Sequence, residues 1–92
     1  MRINERNGLH KTPLMFASEK GNKEIVDYLI SHGALVNDKD KHGLSPLIYA
    51  CKNGQVDIVH YLLEVGAVID DKDNNGLTPL MYAAMYGHVD VL

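Results

Sequence analysis

The sequence lacks the features of several protein classes. It holds one cysteine in 92 residues, so it can form neither an internal disulfide nor a cysteine-rich zinc site. Lys and Arg number 9 against 12 Asp and Glu, which is not the basic excess of a nucleic-acid binder. No run approaches the roughly 20 apolar residues of a membrane span, and residues 1–11 carry no signal-peptide stretch. We therefore expect an intracellular, cytoplasmic protein with no nucleic-acid partner and no membrane insertion.

Internal repetition is the strongest positive signal in the chain. A Thr/Ser-Pro-Leu motif recurs at a spacing of 33 residues, at 12–14, 45–47 and 78–80. All three prolines and seven of the eight glycines follow this spacing. Such self-similarity is typical of proteins built from stacked repeats.

Each repeated unit predicts a turn followed by two short helices. In the second unit, Asp40-Lys41-His42-Gly43 has the residue preferences of a type I turn. Ser45-Pro46 then supplies a helix N-cap and a proline at the first helical position. Gly54 favours the end of the first helix, and apolar residues at helical spacing in 58–65 predict the second. Neither helix is long enough to be stable alone, so each needs its neighbour.

This pattern resembles the ankyrin repeat, a unit of 33 residues with Thr-Pro-Leu-His, Gly-His and Gly-Ala at these positions. The resemblance covers the chain from about Ile3 to Leu92. It implies an all-α solenoid of stacked antiparallel helix pairs with β-turn or hairpin-like connections. It divides a single domain, 1–92, into repeats 7–39, 40–72 and 73–92, the last incomplete. We therefore expect the chain to be a piece of a longer array.

Two departures from the family pattern carry expectations of their own. The histidine after Thr-Pro-Leu is replaced by Met15, Ile48 and Met81, so apolar contact should hold the repeats together there. His10 stands where the turn glycine belongs. We expect a distorted first turn or an irregular N-terminal cap.

The residues that recur in register are expected to form the buried core, because each stacked unit touches only its neighbours. In the first helices these are Leu14, Leu47 and Leu80; Phe16, Tyr49 and Tyr82; and Ala17, Ala50 and Ala83. In the second helices they are Ile25-Val26, Ile58-Val59, Tyr28-Leu29-Ile30, Tyr61-Leu62-Leu63, and Val89 with Val91 and Leu92.

The resemblance also implies where a partner binds, because family members use the turn tips and first helices, which form one concave surface. The matching positions are Lys41, His42, Leu44, Lys52, Asn53, Lys72, Asn74, Asn75, Leu77, Met85 and Tyr86. Leu9, Lys11, Glu19, Lys20 and Lys39 extend this surface into the first repeat.

Within that surface, Met85 and Tyr86 are expected to form an apolar centre with Leu44 and Leu77, with Lys41 and Lys52 at its rim. The alternative is that Met85 and Tyr86 are ordinary surface residues or pack on a flanking segment. Aspartates at 38, 40, 70, 71 and 73 lie among the turn lysines and should weaken any positive field.

The remaining reactive residues predict no catalytic, cofactor-binding or metal site. Cys51 lies on an apolar helix with no histidine nearby to activate it. The five histidines form no zinc motif, and Asp70-Asp71-Lys72-Asp73 lacks the pattern of a calcium loop. Asn37 matches a family position that is hydroxylated in some animals, which stays a side hypothesis.

The predicted function is therefore a non-catalytic module that binds a protein partner. The alternative is a structural spacer or scaffold segment of a longer array, attached to a catalytic domain elsewhere. Self-association through the exposed ends of the array is open in either case.

Overall fold

The computed structural model describes residues 1–91. Five α-helices and one short 3₁₀ helix follow one another, and this described part contains no β-strand. The helices are α1 (Pro13–Lys20), α2 (Lys23–Ser31), α3 (Pro46–Lys52), α4 (Val56–Glu64), α5 (Pro79–Met85) and the 3₁₀ helix (Val89–Val91). The prediction of an all-α repeat fold is confirmed.

The first helix of each repeat begins where the Thr/Ser-Pro motif predicts. The hydroxyls of Thr12, Ser45 and Thr78 accept hydrogen bonds from the backbone N–H three residues later, at 3.2–3.3 Å. A proline follows at the first helical position in each case, where its missing N–H leaves no bond unmade. The cap and the proline together fix the start of each helix.

The helices stack in two layers. Helices α1, α3 and α5 contact one another in order, while α2, α4 and the 3₁₀ helix form the second layer behind them. Apolar residues from both layers meet in one large cluster that contains Leu14, Val26, Leu47, Ile58 and Leu62. A smaller cluster nearer the turns holds Met15, Leu44, Ile48, Tyr49 and Tyr82. Residues 46–51 of the middle first helix α3 are all buried, whereas α1 and α5 at the ends of the stack also carry exposed residues.

The core prediction is confirmed for most of the recurring residues and wrong for five residues of the two end repeats, and its member Leu92 lies outside the described residues. Leu47, Tyr49 and Ile58 are buried, but Leu80 in the third repeat is 60% exposed. Phe16 and Ile25 in the first repeat are 44% and 47% exposed. Tyr28 and Val89 are exposed too. The middle repeat is covered on both faces, whereas each outer repeat meets one neighbour within residues 1–91.

The first turn keeps the geometry of the other two. His10 adopts the left-handed conformation, with φ 60°, that Gly43 and Gly76 adopt at the same register. Its N–H donates to the Asn7 carbonyl at 2.9 Å, as that of Gly43 donates to the Asp40 carbonyl at 3.0 Å. The expectation of a distorted turn is wrong, because histidine is among the residues that enter this region with modest strain.

Hydrogen bonds between neighbouring repeats recur with the same 33-residue translation as the sequence. The Asn37 side chain donates to the Gly66 carbonyl and accepts from Val68 N–H, at 3.1 and 3.0 Å. Asn4 makes the same pair of bonds one repeat earlier, to Gly33 and Leu35. Residues before the first repeat therefore occupy the place of the end of a preceding unit.

Candidate protein-interaction surface

A buried carboxylate shapes each of the second and third turns. Asp40 Oδ1 accepts from the N–H groups of His42 and Leu44, both at 2.9 Å, and its Oδ2 accepts from the Tyr49 hydroxyl at 2.5 Å. Asp73 makes the equivalent bonds with Asn75, Leu77 and Tyr82. Each turn tip is thus tied to the first helix behind it.

Burial and these contacts change the pKa values of Tyr49, Tyr82 and Asp73. Burial, with a smaller contribution from the bond to Asp73, raises the pKa of Tyr82 to about 12. Burial and the bond to Asp40 raise the pKa of Tyr49 as well. Burial also acts to raise the pKa of Asp73, but the donors of Tyr82, Leu77 and Asn75 outweigh it and hold that pKa below its ordinary value. The folded state therefore favours neutral tyrosines beside an ionised Asp73.

Alkali is expected to destabilise the fold through these tyrosines. In the unfolded chain a tyrosine ionises near about pH 10, whereas Tyr49 and Tyr82 ionise later in the folded chain. Their contribution to stability is complete below about pH 10 and is lost as the pH rises through the folded pKa. Urea titrations should give the parent chain a lower free energy of unfolding at about pH 11 than at about pH 8. The Tyr49→Phe/Tyr82→Phe variant should lack this decrease. An equal loss in that variant would contradict the assignment.

At the first-repeat end of the stack, the Lys11 ammonium lies against two aromatic rings of the first helices. Lys11 Nζ lies 4.2 Å from the centre of the Phe16 ring and 4.5 Å from that of Tyr49. The same ammonium pairs with Glu19 at 2.7 Å. Leu44 and Leu77 occupy the register of Lys11 in the later repeats. The lysine at this register, where the other repeats have leucine, is the feature of the sequence from which a cation beside Phe16 could have been predicted.

A second contact between a lysine and an aromatic ring lies at the other end of the stack. The ring of Tyr86 stacks on that of Tyr82 at 6.5 Å between centres, and Lys52 Nζ lies 5.7 Å from the Tyr86 ring. Met85 is 61% exposed and Tyr86 is 50% exposed. An apolar patch with an adjacent cation is therefore open to solvent on the third repeat.

The family of the chain follows from the matched sequence. The family model described as ankyrin repeats (3 copies) matches residues 1–73 and residues 36–92. The chain belongs to the ankyrin-repeat family. Ankyrin repeats are generally protein–protein interaction modules and are typically non-catalytic. In residues 1–91 of this ankyrin-repeat chain, no helix has the length and apolarity to cross a membrane.

Two leucines of the predicted surface pack on the smaller core cluster. Leu44 is buried in the smaller core cluster, and Leu77 is half-buried against that cluster. Their backbone N–H groups donate to Asp40 and Asp73, and their side chains contact the cluster. The expectation of an exposed apolar centre with Met85 and Tyr86 is therefore wrong for Leu44, while Leu77 is only partly open to solvent.

The other predicted residues of these ankyrin repeats keep some contact with solvent. Lys52 is half-buried, and the exposed ones are Lys41, His42, Asn53, Lys72, Asn74, Asn75, Met85 and Tyr86. Two of the asparagines also have structural roles. Asn53 donates to the Tyr49 carbonyl, and Asn74 donates to the Lys41 carbonyl of the neighbouring turn, both at 2.9 Å. Asn74 therefore links the third turn to the second.

Three groups with possible chemistry, the Cys51 thiol, the His88 ring and the Asn37 amide, are buried or engaged within the fold. Cys51 is buried, and burial raises the pKa of its thiol to about 11, which disfavours the reactive thiolate. A ring nitrogen of His88 lies 2.9 Å from the Lys52 carbonyl. Both polar atoms of the Asn37 side chain bond to the next repeat. Within residues 1–91, no three His, Cys, Asp or Glu side chains are grouped for a metal ion.

Proposed function

We propose that this chain is a non-catalytic module that binds a protein partner through the concave surface of its turn tips and first helices. The observation that carries the proposal is the exposed pair Met85 and Tyr86, with the Lys52 ammonium beside the Tyr86 ring. Tyrosine contributes large contact area at interfaces, and methionine adapts to irregular partners. An exposed patch of this kind favours binding over a merely solvated surface.

The proposed binding residues follow from the family positions that keep solvent contact. They are Lys41, His42, Lys52, Asn53, Lys72, Asn74, Asn75, Met85 and Tyr86. We also propose the division into repeats 7–39, 40–72 and 73–92, because helix starts and repeat-to-repeat bonds recur with that register. The surface thus draws on the second and third repeats.

The test compares capture of proteins by the parent chain and by the Lys52→Ala/Met85→Ala/Tyr86→Ala variant. These substitutions remove the exposed patch while leaving the buried clusters intact. The expected result is a partner that the parent retains and the variant loses, measured by quantitative mass spectrometry. Circular dichroism should show that both chains are equally helical.

A matched control is available on the second layer. Asp57, His60 and Glu64 are exposed on α4, so Asp57→Ala/His60→Ala/Glu64→Ala changes the same number of residues on the other side. This control should retain the partner. A partner lost only by the control would move the site to the second helices and contradict the proposal.

A second candidate function, a structural spacer that stacks end to end, is favoured by the apolar end of the third repeat. Leu80 and Met81 are exposed there, and a cavity of about 400 Å³ opens between Leu47, Leu80, Val91 and the exposed Ile69 of the second repeat. Light scattering distinguishes this function, because stacking through the end should give a mass that rises with concentration. A monomer at high concentration would contradict it.

A further inference from the structure

We propose that the segment recognised by this surface is an acidic peptide that carries an apolar side chain. The carboxylates would meet Lys41 and Lys52, and the apolar side chain would contact Met85 and Tyr86. This inference rests on the proposed function of the same surface. It names the chemical class of the partner.

The first step concerns the carboxylates near the turns, most of which are already engaged. Asp40 and Asp73 are buried and accept bonds from their own turns. Asp38 pairs with Arg6, and Asp71 pairs with Lys39, each at 2.7 Å. Asp71 neutralises Lys39, so the expectation from sequence that these aspartates weaken the positive field of the lysines stands. Attraction of an acidic segment must come from the lysines that have no such partner.

The second step concerns the lysines that remain. Among residues 1–91, four lysines have no carboxylate oxygen within the 4.0 Å of an ion pair: Lys20, Lys41, Lys52 and Lys72. All four belong to turns, turn approaches or ends of first helices. They are free to pair with carboxylates of a partner, and such pairs speed association and select the partner.

The third step concerns the opposite sign of the second layer. The second helices and the 3₁₀ helix expose Glu24, Asp57, Glu64 and Asp90. Their one lysine, Lys23, pairs with Asp27 at 3.3 Å. The net charge is −3, but the charges are distributed unevenly: the second layer is acidic and the first layer is more basic. An acidic segment is repelled by one side and attracted by the other.

The fourth step concerns the apolar anchor. Tyr86 is held from below by the stacked Tyr82 ring, whose hydroxyl is bonded to buried Asp73. A ring that is held in place loses little rotamer entropy when a partner covers it. Because Lys52 lies beside this ring, a carboxylate next to an apolar side chain could contact both groups at once.

The experiment selects a random dodecapeptide library, displayed on phage, against the immobilised chain. We expect enrichment of peptides that combine Asp or Glu with a Leu, Ile or aromatic residue. Binding of a selected peptide should weaken at least about 10-fold in Lys41→Glu/Lys52→Glu and weaken with salt. Arg2→Glu/Lys23→Glu makes the same change in net charge away from the surface and should bind like the parent.

The other outcomes separate this inference from the proposed function. If the selected peptides are neutral or basic and Lys52→Ala/Met85→Ala/Tyr86→Ala does not bind them, the partner is not acidic. That result overturns this inference but supports the proposed binding surface. Peptides that bind every variant equally, or no enrichment at all, would overturn both. Binding of a thymidine oligonucleotide as tight as that of the selected peptide would show a general polyanion surface and overturn the peptide assignment.

Discussion

Replacing Asp40 by alanine is expected to lower the free energy of unfolding by about 3–4 kcal/mol, because several buried hydrogen bonds to a charged group are lost together. The substitution leaves His42 N–H, Leu44 N–H and the Tyr49 hydroxyl without their acceptor. Leu44 and Tyr49 are buried, so water replaces these bonds poorly. Urea unfolding followed by circular dichroism measures the loss.

Asp40→Asn is the matched control for this substitution. In the first repeat, the amide oxygen of Asn7 accepts from Leu9 and Lys11 N–H, both at 2.9 Å. An asparagine at position 40 therefore keeps the bonds inside the turn and weakens only the contact with Tyr49. We expect it to lose about half as much stability as the alanine variant, or about 1.5–2 kcal/mol.

A double-mutant cycle isolates the contact between the carboxylate and the phenol. Tyr49→Phe alone leaves a buried carboxylate oxygen without its donor, which should cost about 2 kcal/mol. In the Asp40→Ala background the same change should cost much less, because the acceptor is already absent. Equal losses in the two backgrounds would show that the hydroxyl contributes nothing through Asp40.

Replacing Gly54 by alanine is expected to lower the free energy of unfolding by about 2–4 kcal/mol, from left-handed strain plus a displaced neighbour. Gly54 has φ +68°, and an added Cβ would lie 2.6 Å from Nδ1 of His88. The ring would have to move, and its contact with the Lys52 carbonyl at 2.9 Å would be lost. The junction between the second and third repeats would weaken.

Gly87→Ala is the matched control, because Gly87 occupies the same register one repeat later. Its φ is +75°, but no atom of residues 1–91 lies within 4 Å of an added Cβ. Its loss should be the left-handed strain alone, about 1–2 kcal/mol. In a His88→Ala background, Gly54→Ala should lower the free energy of unfolding by only this amount, because the ring that the new Cβ would meet is absent. A cost at Gly87 equal to that at Gly54 would refute the contact with His88.

Much of the fold could be predicted because its determinants are local and recur. The Thr/Ser-Pro pairs fix the helix starts by capping and by the geometry of proline, and α1, α3 and α5 begin at those prolines. Ala50 and Ala83 are buried as predicted. The family assignment follows from the same periodic residues.

What could not be predicted depends on what covers a residue rather than on the residue itself. Leu47 and Leu80 share a register, yet only Leu47 has a further repeat packed on it. Leu44 is buried in the smaller cluster, whereas Lys11 at that register reaches across Phe16. A periodic sequence contains no local signal for these differences in neighbours. The candidate surface therefore needed correction at its leucines, while its polar positions stay a proposal.

The 33-residue translation of the junction bonds has a consequence for how the chain could grow. A tandem copy of residues 40–72 inserted after Lys72 would bring Gln55 of the copy to the Lys52 carbonyl, as Gln55 now reaches the Glu19 carbonyl. The new junction would lack the bond that Asn37 donates to the Gly66 carbonyl, since Asp70 stands in the register of Asn37 and a carboxylate cannot donate to a carbonyl. An insertion of another size inside a helix would displace the side chains that meet across a junction, whereas each helix cap spans three residues and would move with its own helix. A duplicated repeat instead adds a unit whose junction residues already stand in the register of their partners.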